Sequence, residues 1–171
     1  LAISSAASDV YKRQYQDNSE RISNVVFMGM GEPLMNTENV LKTIQIMQDQ
    51  KCYSLSKRRI TLSTSGIVPE IEAITGKTDV SLAISLHASN DDLRNKIVPI
   101  NKKYPIKDLL ASSKRYLNSL NSKSHITIEY ILINDVNDSI EDASNLVNLL
   151  SDLKCKINLI PFNPFPESDY E

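Results

Sequence analysis

The chain has 171 residues, 41% of them hydrophobic, and a formal net charge of −2, which suits about one domain with a packed core. That balance excludes the broad basic footprint of a protein whose whole surface grips nucleic acid. No apolar run reaches the 18 or more residues of a membrane-spanning helix, and no charged start followed by an apolar core reads as a secretory signal. Two cysteines, Cys52 and Cys155, and two histidines, His87 and His125, have no metal-ligand spacing among them. Two lone cysteines suit a reducing compartment.

Residues 1–14, Leu1 to Gln14, show little periodicity and read as an artefactual leader, leaving 15–171 as the folding unit. The first expected strand, Asn24–Met28, runs into Gly29-Met30-Gly31-Glu32-Pro33. Glycine lets a backbone turn sharply and approach a ligand closely, and the carboxylate of Glu32 can accept charge-assisted hydrogen bonds from a ligand ammonium. The plain alternative is a strand-to-helix turn with a solvated glutamate. A helix is expected over Asn36–Gln50, with Val40, Leu41, Ile44 and Met47 at helical spacing. The basic run Lys57-Arg58-Arg59 leads into a second strand, Arg59–Thr64, ending in Ser63-Thr64-Ser65-Gly66.

In the third strand, Val80–Leu86, alternation puts Val80, Leu82, Ile84 and Leu86 on one face and Ser81, Ala83, Ser85 and His87 on the other. The bulky face suits helix packing; the small face leaves room for a ligand. A lone histidine at a strand end is commonly a hydrogen-bonding rim residue. After the basic pair Lys102-Lys103, a helix over Pro105–Leu120 carries Ile106, Leu109, Leu110 and Leu117. The fourth strand, Ile126–Ile133, holds Glu129, which must be partnered in the interior or exposed at an edge; a structural partner is favoured. The last helix opens on Asp138 and Glu141 at capping-box spacing and is expected to bury Leu146, Val147, Leu150 and Leu153. The fifth strand, Lys156–Ile160, exits into the stiff segment Pro161-Phe162-Asn163-Pro164-Phe165-Pro166.

Alternating strands and helices indicate an α/β chain with a parallel sheet, open or barrel-like. In such folds ligands bind at the carboxyl ends of the strands. Those ends hold Gly29 to Pro33, Ser63 to Gly66, Ser85 to His87 and Pro161 to Pro166. The basic clusters, taken alone, read as solvated surface.

Seven blocks in register, Phe27 to Leu34, Leu55 to Arg59, Thr61 to Gly66, Ala83 to Ala88, Val98 to Tyr104, Thr127 to Tyr130 and Cys155 to Phe165, resemble the RlmN-type radical S-adenosylmethionine (SAM) RNA methyltransferases. The resemblance covers about Ile22 to Pro166. It implies a partial (β/α)6 TIM-like barrel of the radical SAM type, lacking its first β/α unit and its C-terminal end. It implies an enzyme that methylates carbon 2 of adenosine in 23S rRNA and in tRNA through a methyl-cysteine intermediate, with SAM and a [4Fe–4S] cluster as cofactors. It also implies a cytoplasmic monomer with no membrane association, reduced by a donor such as flavodoxin or ferredoxin.

By the same resemblance, Gly31 and Glu32 hold the SAM amine and Ser63 hydrogen-bonds SAM. Ser85, Leu86 and His87 line the site and Asn163 completes it. Lys57, Arg58, Arg59, Lys102 and Lys103 meet RNA phosphates. The family's cluster cysteines lie in a CxxxCxxC loop and its methyl-carrying cysteine lies downstream. Neither is matched in this chain, so no metal ligand and no catalytic residue is assigned and the 171 residues alone are expected to be inactive. Alternatives are a non-catalytic SAM- or RNA-binding relative and a Cfr-like enzyme that methylates carbon 8. A phosphate-binding metabolic enzyme ranks last, because Glu32 would repel phosphate.

Overall fold

The computed structural model of the chain describes residues 23–165 and residue 170. The leader expected over residues 1–14 and the last proline of the exit segment, Pro166, lie outside them. The strands are β1 (Val25–Phe27), β2 (Ile60–Thr64), β3 (Ser81–Ser85), β4 (Ile126–Leu132) and β5 (Cys155–Pro161). All pair in parallel, in the order of the chain, β1-β2-β3-β4-β5. A doubly wound sheet reverses its strand order midway; this one never does. Right-handed crossovers that always add the next strand on the same side put the described helices on one face and leave the other, the free face, without a helix among the described residues. The sheet is an arc of a barrel.

Between the strands run α1 (Thr37–Gln48), α2 (Val68–Ile74), α3 (Asp91–Ile97), α4 (Ile106–Ser119) and α5 (Ile140–Leu150). Three short 3-10 turns, Pro33–Asn36, Lys57–Arg59 and Pro99–Lys102, complete the connections. The side chains expected on the bulky face of the third strand, Val80, Leu82, Ile84 and Leu86, are fully buried under these helices, together with Ile60, Leu62, Ile126 and Ile128 of the neighbouring strands and Ile71, Ile74 and Leu109. Tyr116 of α4 donates from its hydroxyl to the Val80 carbonyl at 2.8 Å, tying the helix layer to the start of β3. The turn after β2 presses on the same helix. A Cβ on Gly66, whose φ is +109°, would lie 2.9 Å from Leu109 Cδ1, so only glycine fits there.

Two expectations about α5 are corrected. Its capping box is Ser139 with Asp142, one residue beyond the expected Asp138 and Glu141. Ser139 Oγ accepts from the Asp142 amide at 3.0 Å, and its own amide and hydroxyl donate to Asp142 Oδ2. A hydroxyl both gives and accepts, which an aspartate at the cap cannot do. Leu146 and Leu150 are buried, as is Leu153 just past the helix, but Val147 is 63% exposed, one position off the buried stripe. Helices α2 and α3 go beyond the expected set. Both are only seven residues long, and the one fully buried side chain of α3 is a charged one, Arg94.

Candidate functional site

The turn after β1 is latched to the turn after β2 by one carboxylate. Pro33 has no amide hydrogen, so the first donor of the following 3-10 turn is Leu34, and its N–H reaches Glu32 Oε1 at 3.0 Å. Glu32 Oε2 accepts from both the amide and the hydroxyl of Ser65, each at 2.7 Å. These three donors leave room for one more on a group that has about four acceptor positions. Gly31 is exposed, and an added Cβ there would meet nothing within 4 Å. Bare backbone and a partly used carboxylate therefore share the rim.

Deeper on the free face lies a second acidic position. Register pairs Ser63 with Ala83 and Ser85 with Glu129, so Ser63, Ser85 and Glu129 project from the same side of adjacent strands. Glu129 is 6% exposed and Ser63 is 4% exposed. Both hydroxyls lie 3.5 Å from Glu129 Oε2, at the outer limit of a hydrogen bond. The structural partner favoured for Glu129 is thus a pair of distant hydroxyls and not a cation. The two ion pairs among the described residues are Lys57–Asp79 and Arg115–Glu72, both elsewhere. Burial pushes the Glu129 carboxyl above its ordinary value, opposed by the Ser63 and Ser85 hydroxyls.

A buried guanidinium underlies these strand ends. Arg94 of α3 donates from Nε to the Leu86 carbonyl (3.0 Å) and from Nη2 to the carbonyls of Ser65 (2.7 Å) and Ser85 (3.1 Å). Its Nη1 bonds Asn101 Oδ1 at 2.8 Å, and Asn101 in turn donates to Asp91 and Asn95. Burial lowers the Arg94 pKa to about 10, with Asp91 opposing, so it stays charged at neutral pH. Asn137 does similar work beside it. It is 1% exposed, accepts from the Ile133 amide, and donates to the carbonyls of His87 and Ile131. Sequence reasoning missed Arg94, Asn101 and Asn137, because a buried polar clamp leaves no trace in hydrophobic periodicity. The cue that existed was the asparagine within the Pro99–Lys102 turn, inside the block Val98 to Tyr104.

His87 takes a left-handed backbone conformation, φ 61°, uncommon for a residue with a side chain and a mark of local strain. Its Nδ1 accepts from the Ile131 amide at 3.1 Å, which leaves the ring proton on Nε2. Burial first, then the Arg94 charge, lowers its pKa to about 4. The ring is neutral at pH 7 and offers a fixed N–H donor. In the unfolded chain it protonates near 6.5, so between about pH 6.5 and 4 the unfolded state binds more protons than the native one. Stability is therefore full above pH 6.5 and falls by about 2–3 kcal/mol as pH drops to 4. Urea unfolding at a series of pH values checks this. In His87→Asn, which tolerates the left-handed backbone, the dependence flattens across that window.

The other predicted residues fall into three groups. Leu86 is fully buried toward the helices, so only its backbone faces the strand end; its amide donates to the Glu129 carbonyl and its own carbonyl takes Arg94. Asn163 is exposed at the same end of the sheet, two residues past β5, where the Phe162 amide donates to the Leu132 carbonyl. The Phe162 ring packs near Phe165 and Tyr170, with centroids 6.3 and 6.4 Å away. The basic clusters separate. Lys102 and Lys103 follow Asn101 and so sit at the carboxyl ends of the strands. Lys57, Arg58 and Arg59 precede β2 at the opposite end, where Lys57 pairs with Asp79 and Arg59 bonds the Ser23 carbonyl.

The described residues do not fit an iron–sulfur cluster. No group of three or more His, Cys, Asp or Glu side chains converges among them. Cys52, in the loop before β2, and Cys155, the first residue of β5, lie at the amino ends of the strands, away from Glu32. An aminoacyl nucleoside such as SAM is different. The rim carboxylate, open glycine backbone, two serine hydroxyls and neutral histidine match an ammonium, a backbone approach and a polar nucleoside.

Residues 8–147 match the radical SAM superfamily. The dual-specificity RNA methyltransferase RlmN of Marinobacter nauticus is 59% identical over 156 residues, which is 91% of this chain and 42% of that protein. Its namesake from Marinomonas sp. is 62% identical over 151 residues, 88% of this chain and 41% of that protein. The chain thus spans about two-fifths of the length of these curated relatives. Among solved structures, a radical SAM methyltransferase from Sphaerobacter thermophilus superposes with a TM-score of 0.89 at 41% identity, covering 96% of this chain and 48% of that one. A domain of a pyruvate-formate lyase-activating enzyme from Bacteroides vulgatus shares the fold, with a TM-score of 0.60 at 16% identity, covering 88% and 84%.

Proposed function

This chain belongs to the radical SAM superfamily, and from that membership we propose that it is the cofactor-binding core of an RNA methyltransferase that acts on carbon 2 of adenosine in 23S rRNA and in tRNA. The observation that carries the reading is the Glu32 latch beside the Ser63–Ser85–Glu129 cluster, all at the carboxyl ends of parallel strands. In this reading SAM, when bound, supplies the methyl group and the radical chemistry of the superfamily. The chain's own residues bind and orient it. Gly31 and Glu32 receive the methionyl amine, Ser63 and Ser85 bond the nucleoside, and His87 presents its Nε2–H. Leu86 contributes through its backbone and Asn163 closes the site from β5. Helices on one face and small side chains on the other leave the cofactor a shaped bay, so the protein's part is orientation and exclusion of water.

No group that could hold the [4Fe–4S] cluster of the superfamily is present among the described residues, neither Cys52 nor Cys155 is matched to the methyl-carrying cysteine, and no step is assigned to this chain through either. The 171 residues alone accordingly bind cofactor without methylating RNA. Lys102 and Lys103, on the site's side of the sheet, are better placed than Lys57, Arg58 and Arg59 to meet the phosphates of an RNA whose adenine enters that bay. The partners in this reading are 23S rRNA, tRNA and a flavodoxin- or ferredoxin-like electron donor, with a monomeric enzyme in the cytoplasm. The relatives are named for dual-specificity RNA methylation, which supports the substrate class.

A chimera tests the reading. Residues 24–165 replace the matching segment of the Marinomonas relative in a host lacking its own carbon-2 methyltransferase, and digested rRNA and tRNA are examined by mass spectrometry. The expected product is 2-methyladenosine in both RNAs. A chimera that binds SAM and makes none contradicts the proposal; 8-methyladenosine points to the carbon-8 branch.

A further inference from the structure

We propose that Glu129 is a ligand-contacting residue whose carboxylate accepts hydrogen bonds from the vicinal hydroxyls of the adenosyl ribose. The inference rests on reading the carboxyl-end face as a SAM site and adds to it a residue on β4 that lies outside the blocks assigned to the cofactor. Four observations carry it. Glu129 is 94% buried, being 6% exposed, on the fourth strand of a five-stranded sheet and not on an edge. It has no ion-pair partner, the ion pairs among the described residues being remote. Among the described residues its side chain bonds only the two hydroxyls of Ser63 and Ser85, both on Oε2 and both at 3.5 Å, and Oε1 takes no donor from them. It shares the free face with those serines.

A carboxylate is an acceptor-only group with about four lone-pair positions, and leaving it buried and half-used is costly. What it lacks is O–H or N–H donors arriving from the open side of the sheet. A vicinal diol brings two. The sulfonium of SAM brings none, and the methionyl ammonium has Glu32, at the rim beyond β1, whose other bonds already fix it for that purpose. The serines on either side can rotate their hydroxyls to accept as well as donate, which suits a diol that does both.

The test is calorimetric titration of S-adenosylhomocysteine and of its 2′-deoxy and 3′-deoxy counterparts into the chain and into Glu129→Gln. S-adenosylhomocysteine carries no sulfonium, so the comparison reads the ribose and not the cofactor's charge. The wild-type chain is expected to prefer the ribose compound by about 10- to 100-fold, the span of a hydrogen bond to a charged group. Glu129→Gln is expected to lose most of that preference, with ribose affinity falling and deoxy affinity nearly unchanged. A preference that survives in Glu129→Gln overturns the inference and leaves the SAM site standing. So does a wild-type chain that binds all three compounds equally, an outcome that needs no variant to fold. A folded wild-type chain that binds none of them overturns the site itself.

Discussion

Arg94→Met lowers the unfolding free energy by about 3–5 kcal/mol, the range for removing one partner from a buried charged network. The cause is the set of acceptors left behind. Three carbonyls, those of Ser65, Ser85 and Leu86, and the side-chain oxygen of Asn101 all take their donor from this one guanidinium. Methionine fills much of the volume and none of the bonds. Against a total stability of about 5–15 kcal/mol for a domain, such a loss leaves the chain marginal. Arg94→Lys rescues little, because an ammonium is a point donor without the planar fork that spans the two strand ends. Denaturant titration monitored by circular dichroism measures the effect; a loss below about 1 kcal/mol, the size of one ordinary hydrogen bond, contradicts the clamp.

Glu32→Ala weakens SAM binding by about 100-fold, the equivalent of one strong charge-assisted hydrogen bond. Two losses coincide. The carboxylate that would meet the amine is gone, and so is the latch between the turns after β1 and β2, since the Ser65 amide and hydroxyl and the Leu34 amide lose their acceptor. Glu38→Ala, at an exposed position in the first turn of α1, removes the same charge from the chain and leaves affinity unchanged. Calorimetric titration with SAM separates the two variants. Equal affinities would mean that charge at Glu32 does not recognise the ligand.

The strands were legible because each is a short run rich in branched side chains, all but β4 ended by glycine, serine or proline, and alternation told the helix-facing side from the other at Ser81 to Ser85. The choice between an open and a barrel-like sheet was not legible. It depends on strand order, which is a pairing between residues far apart, such as Ile60 with Val25. The rim was legible at Glu32, where a carboxylate sits between glycine and proline in a turn. Its latch to Ser65 was not, because it joins positions 33 residues apart. Arg94 and Asn137 were not singled out at all, because nothing local marks a polar residue as a buried connector, and only packing reveals that both are. The cap of α5 was displaced by one residue because Asp138 and Ser139 are both acceptable caps locally, and the hydroxyl wins through its second bond to Asp142.

The central claim is that the carboxyl ends of the five strands form a SAM site. Titrating SAM into the isotopically labelled chain and following backbone amide resonances tests it residue by residue. The account predicts saturable shifts at Gly29 to Glu32, Ser63 to Gly66, Ser85 to His87 and Asn163, with Cys52 and Lys57 to Arg59 at the opposite end unmoved. Shifts centred on that opposite end, or none at all in a folded chain, would contradict it.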